Sequence, residues 1–218
     1  MSDQGAGLIP LGAIRPWAER NRLERRARLL AWGGIAWHVV EFGIAIGAGI
    51  AAGSIALIGF GADSLIEAVA SLVVIWLFTG ARRGSRAAER RAQVLIAGLF
   101  FALAAYVGVE AVVTLVSRTH PGVSWIGIAL AAVTVVAMPL LAAAKRRVGT
   151  ALHSSATVKE AGQTQLCAYL SIALLVGLGA NALLGWWWAD PLAALAIAGV
   201  AVQEGRSSGR GEGCCDAC

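Results

Sequence analysis

Charge is what this chain has least of. Only 14% of its 218 residues are Asp, Glu, Lys or Arg, against 58% hydrophobic ones, and the mean hydropathy is +0.71. Soluble domains carry about 25% charged residues, so a surface facing water on every side is excluded. Long polar linkers are lacking too. The apolar stretches are joined by short segments such as GAGIAAGS, SRTHPG and GWWWAD, which leaves nothing over for a second folded domain. No internal repeat is evident. No Ser/His/Asp set, phosphate-cradling loop or cofactor motif occurs, so an enzyme is not expected. A cleavable leader is not expected either, because no charged segment precedes an apolar run and a small-residue cleavage site.

What is present is a series of apolar runs. A helix crosses a bilayer in roughly 17–25 residues, and six runs are candidates: Leu29–Ala52, Ser54–Thr79, Ala92–Val116, Val123–Ala144, Leu166–Leu184 and Trp186–Val202. The fifth passes only by extending back through polar residues toward Ser155, and the sixth borrows its tryptophans to reach length. The expected fold is an all-α integral membrane protein with six transmembrane helices.

The net charge of +5 and the pI near 9.5 would suggest nucleic acid for a soluble protein, but their distribution gives a better account. Basic residues fill the N-terminal arm (Arg15, Arg20, Arg22, Arg25, Arg26, Arg28) and the segment after the second run (Arg82, Arg83, Arg86, Arg90, Arg91). They also fill the segment after the fourth (Lys145, Arg146, Arg147, Lys159) and the tail (Arg206, Arg210). Of 18 basic residues only Arg118 falls on the other side. The positive-inside rule then puts both termini in the cytoplasm, with a bacterial inner membrane as the expected location and no nucleic-acid partner.

Three regions follow: a basic cytoplasmic arm (1–28), a six-helix transmembrane domain (29–203) and a flexible Cys-rich tail (204–218). Segment 16–32 alternates basic and apolar residues at helical spacing. It is expected to lie on the anionic inner leaflet before turning into the first span, as a topology anchor or a regulatory element. Asp190 and Pro191 read as a helix start, with Asp as the cap, and Trp186, Trp187 and Trp188 as an outer interfacial belt. Gly43, Gly47, Gly49 and Gly53 form overlapping GxxxG patterns that permit close helix approach within a protomer or between two.

Against this apolar background a few polar residues stand out. Asp63 and Glu67 lie deep in the second run, and an ionised acid at that depth costs about 2.5–3.5 kcal/mol on insertion-based scales. At i and i+4 they project from one helix face. Two like charges that close do not both stay ionised in a dry site unless a cation lies between them. His38 and Glu41, at i and i+3, read as partners behind a metal ligand, as a proton relay, or as two groups that satisfy each other. Glu110 reads as a buried packing or vestibule acid, and His120 and His153 as loop residues. The fifth run adds Gln163 and Cys167, again at i and i+4. A transition metal takes about four N, O or S ligands in a tetrahedral array, and two such pairs on facing helices supply one. Asp63, Glu67, Gln163 and Cys167 are therefore the candidate transport site.

The segment GSIALIGFGADSLIEAVASL, followed much later by an apolar helix and WADPLAAL, resembles the transmembrane part of the cation diffusion facilitator (cation efflux) family. The resemblance spans residues 28–205. In that family a D/H-xxx-D pair on span two and an H-xxx-D pair on span five bind the transported ion, and protons move the other way. Asp63 and Glu67 match the first pair. Aligned back from Asp190, Gln163 and Cys167 stand near the second, with a slippage of one residue; a further shift would bring Glu160 into the site. Gln is a weak ligand, while a Cys thiolate is soft and strong for zinc, cadmium or copper(I). The soluble metal-binding domain common in the family is not matched, so dimerisation would use the transmembrane helices of a homodimer.

Cys214, Cys215 and Cys218 form a CCxxC cluster in a reducing compartment, where structural disulfides are disfavoured. Three thiols on a flexible tail can capture soft metals; redox sensing, pairing between subunits and lipidation are the alternatives. The expected function is proton-coupled export of a divalent transition metal, zinc foremost, by alternating access and without a bound cofactor. The competing reading is a metal-sensing or accessory membrane protein that uses the Cys tail and does not transport. A channel or small-molecule exporter fits less well, because the polar residues cluster rather than line a continuous path.

Overall fold

The computed structural model describes residues 17–77, 86–152 and 155–210. They form six helices: α1 (Trp17–Ala52), α2 (Ile55–Leu77), α3 (Arg86–Ser117), α4 (Trp125–Leu152), α5 (Ser155–Leu184) and α6 (Ala189–Arg210). No strand occurs among the described residues. Four helices contain stretches long and apolar enough to cross a membrane: Asn21–Ala52, Val94–Ser117, Trp125–Leu152 and Glu160–Leu184. Their outer faces expose Val39, Val40, Val112, Val113, Val133, Val136, Leu140 and Val176, a continuous apolar coat suited to lipid.

Helices α1, α2, α5 and α4 close a ring in which each packs on the next, while α3 and α6 pair with each other and lie against α2. Helix α6 also reaches α5. The most enclosed helix is α2, whose Leu57 and Phe60 are fully buried among Val107, Leu174 and Ile197. With lipid as solvent there is little hydrophobic drive between helices, so small residues and polar contacts set the approach. The α1 glycines divide accordingly. A Cβ at Gly49 would lie 2.8 Å from Ile58 Cγ1, so α1 and α2 touch there, whereas Gly43 and Gly47 have nothing within 4 Å. Gly53 takes φ +65 and ends α1, a conformation that only glycine adopts without strain.

Helices α1, α3, α4 and α5 run further than their apolar runs. Helix α1 is continuous from Trp17, so residues 17–32 do not turn before the first span; residues 17–31 hold no Gly or Pro to break the helix and are rich in Ala, Leu and Arg. Arg90 and Arg91 ride on α3, and Lys145, Arg146 and Arg147 on α4, as helical residues. Helix α5 begins at Ser155, the extension that the fifth run needed to reach full length.

The end of the bundle near Ser54 is stitched by hydrogen bonds. Ser54 Oγ accepts from Leu57 N–H at 3.1 Å and donates to Asp190 Oδ1 at 2.5 Å, while Ile55 and Ala56 N–H donate to Asp190 Oδ2 at 3.1 and 3.5 Å. Asp190 is the second residue of α6, and it caps α2 rather than its own helix. A carboxylate there meets the unpaired N–H groups and positive dipole end of α2. Nearby, Gly122 N–H donates to Ala52 O at 2.7 Å and Asn181 Nδ2 to Pro121 O at 3.1 Å. Trp187 stacks on His120, and Trp186 on Trp188. Replacing Asp190 with Ala strands two buried N–H groups and the Ser54 hydroxyl. The expected cost is about 2–4 kcal/mol of unfolding free energy, read as a lower denaturant midpoint in tryptophan fluorescence, with a smaller loss for Asn181→Ala.

Candidate metal site

Within the four-helix ring, polar side chains converge from every member. On α1, His38 and Glu41 lie one turn apart and are 3% and 0% exposed. On α2, Asp63, Ser64 and Glu67 face inward, and α4 and α5 bring Thr134 and Cys167, all buried. Glu41 is the hub. Thr134 Oγ1 donates to its Oε1 at 2.6 Å and Ser64 Oγ to its Oε2 at 2.9 Å. His38 Nδ1 stands 3.4 Å from the same Oε2, and Cys167 Sγ 3.9 Å from it. The other imidazole nitrogen of His38, Nε2, is 3.4 Å from Glu67 Oε2.

His38, Glu67 and Cys167 thus each offer one donor atom, and the three atoms lie within 4.8 Å of one another. Donors bound to one tetrahedral zinc at about 2.0–2.3 Å sit slightly closer than that, so a small inward movement of side chains suffices. Glu67 Oε2 and His38 Nδ1 are buried without a hydrogen bond. A buried acceptor left that way is costly, and a bound cation relieves the cost at Glu67. Glu41, itself held by Ser64 and Thr134, lies 3.4 Å behind the imidazole without a hydrogen bond to it, in the place that an orienting carboxylate takes around metal-bound histidines. Acidic groups outnumber basic ones around Glu67: Asp63, Glu41 and Glu204 lie near enough to act on it, and Lys145 opposes them.

The sequence-selected residues divide on this geometry. Glu67 and Cys167 come together. Asp63 is buried one turn away on α2, where the charges of Glu204 and Glu41 act on it, and it is not among the three converging donors. Gln163 is half-buried, and its side chain makes no hydrogen bond to this cluster among the described residues. The inward position on that turn of α5 belongs to Thr164, 2% exposed. His38 moves to the front of the site, and Glu41 remains behind it. Glu110 is half-buried on α3, outside the ring, and His120 is exposed. His153, Cys214, Cys215 and Cys218 lie outside the described residues. Glu160 pairs with Lys145 at 2.9 Å, not with the three donors.

The model for the cation efflux transmembrane domain matches residues 34–210. The chain belongs to the cation efflux family. Its general task is therefore efflux of metal cations across a membrane in which it is integral, and the match runs from α1 to the last residue of α6. No curated protein matches the chain.

Sequence reasoning missed Ser64, Thr134, Glu204 and the interior position of Lys145. Ser64 adjoins Asp63 and Thr134 is the one hydroxyl in the middle of α4, a weak signal because hydroxyls in such helices usually bond their own backbone. Lys145 was hidden by the basic run that follows it. One outcome tests the burial of the thiol. With the three tail cysteines changed to serine, Cys167 should resist a maleimide in the folded protein and react fully after unfolding in detergent. Equal labelling before and after would place it outside the bundle.

Proposed function

We propose that the chain exports a divalent transition-metal ion, zinc foremost, in exchange for protons, through six spans with both termini in the cytoplasm of a bacterial cell. The observation that carries this reading is the convergence of His38, Glu67 and Cys167 in the dry centre of the bundle. An imidazole, a carboxylate and a thiolate suit zinc or cadmium and disfavour magnesium or calcium, which want oxygen alone. Water or the Asp63 carboxylate fills the fourth position.

Metal binding requires the thiol and the imidazole to be free of protons, so loading the metal expels protons and reprotonation expels the metal. Exchange follows if the site opens to one side at a time. The closed geometry supports that: the Ser54–Asp190 group seals one end and Lys145–Glu160–Thr164 the other. In this reading the open face of α1 at Gly43 and Gly47 serves a homodimer, since close helix approach needs such residues. The tail cysteines gather metal on the cytoplasmic side.

The test is zinc-driven proton movement in proteoliposomes that carry an internal pH dye. His38→Ala, Cys167→Ser and Asp63→Ala should each lose about tenfold or more of the signal, while Gln163→Ala stays near wild type. Metal binding without flux in folded wild-type protein would turn the reading to a sensor or accessory protein.

A further inference from the structure

A lysine inside a membrane bundle is costly, yet Lys145 is 2% exposed. Its Nζ donates to Glu160 Oε1 at 2.9 Å and to Thr164 Oγ1 at 3.2 Å. Helix α1 meets it at Gly34, where a Cβ would lie 3.0 Å from Nζ. Both neighbours adjoin metal-site positions. Thr164 is one turn from Cys167 on α5, and Gly34 is one turn from His38 on α1. The ammonium therefore lies beside the turns of α1 and α5 that adjoin His38 and Cys167, on the side away from Asp190. Its charge acts on Glu67, whose Oε2 has no hydrogen bond. A lysine head carries three donors on a flexible four-carbon stem, so the step from Glu160 to Glu67 lies within its reach, past the Thr164 hydroxyl.

We propose that Lys145 is a tethered cation shared between Glu160 and Glu67, which competes with the transported metal for the Glu67 carboxylate. This rests on the metal-site reading above. A metal on His38, Glu67 and Cys167 confines the ammonium to Glu160, and departure of the metal lets the ammonium reach Glu67. The tether lowers the apparent metal affinity by the fraction of time that it occupies Glu67. It also spares the site from holding a bare buried carboxylate, which is the costly state of a broken ion pair. Lys145 is thus a positioning residue that tunes release, and not a metal ligand.

The tethered cation makes removal of Lys145 and removal of Glu160 opposite in sign. A fixed Lys145–Glu160 pair would also give single removals of opposite sign, by charge alone, but the double variant would then return near wild type. The experiment uses the full chain in lipid nanodiscs, with the tail cysteines changed to serine, titrated with cadmium and followed by cadmium–thiolate absorbance. Lys145→Gln should bind cadmium about twofold or more tighter, because an ammonium shared evenly between Glu160 and Glu67 halves the apparent affinity. Glu160→Gln should bind it about tenfold weaker, because the ammonium keeps only Glu67 as partner. The double variant should match Lys145→Gln. In liposomes Lys145→Gln should also turn over more slowly while half-saturating at lower metal. Lys145→Met carries the same expectation if Lys145→Gln does not fold. Shifts of the same sign in the two single variants, no shift in Lys145→Gln, or a double variant that returns to wild-type affinity overturn the proposal and leave the site reading intact. A cadmium signal that survives Cys167→Ser overturns the site reading, and the tether with it.

Discussion

Glu41 holds the centre of this molecule together. Its carboxylate has no exposure at all and meets Thr134 from α4, Ser64 from α2, His38 from its own helix and Cys167 from α5. In the hydrocarbon interior an acid without partners is among the most expensive groups a protein can carry. Because its partners come from three other helices, satisfying Glu41 sets the depth and rotation of each helix relative to α1. The three candidate donors His38, Glu67 and Cys167 then converge as a consequence of that register.

Polar groups in the bundle gather at three levels. One end has Ser54 and Asp190, the middle has the Glu41 group, and the other end has Lys145, Glu160 and Thr164. Between them lie apolar side chains such as Leu57, Phe60, Met138 and Leu174. Among the described residues these polar layers are separated by apolar ones, an arrangement unlike the polar lining of an open channel. At both ends the contacts join helices that must separate if the site is to open: α2 from α6, and α4 from α5.

The cation efflux match covers residues 34–210, from α1 to the end of α6, and the donor set gives this chain its own character. Three helices, rather than two, supply the candidate ligands, and one of them is a thiol. A soft donor beside an imidazole suits zinc or cadmium by its chemistry, and acidic groups outnumber the one nearby lysine around it.

By itself, the sequence determined the six apolar runs, their order, and the cost that makes Asp63, Glu67, His38 and Glu41 conspicuous, because hydrophobic length and buried charge are properties of local composition. It also pointed to an extension of the fifth run through polar residues, and α5 does begin at Ser155. Only the tertiary structure decided which acids and donors meet. Spacing at i and i+4 fixes that two residues share a face, but it does not say which way that face points. A rotation of α5 by part of a turn exchanges Gln163 for Thr164. The interior position of Lys145 and the capping of α2 by Asp190 depend likewise on where a distant helix delivers its partner, over separations of 15 and 136 residues. Those contacts exist because each helix settles where buried polar groups on the others find each other, a condition no single segment contains.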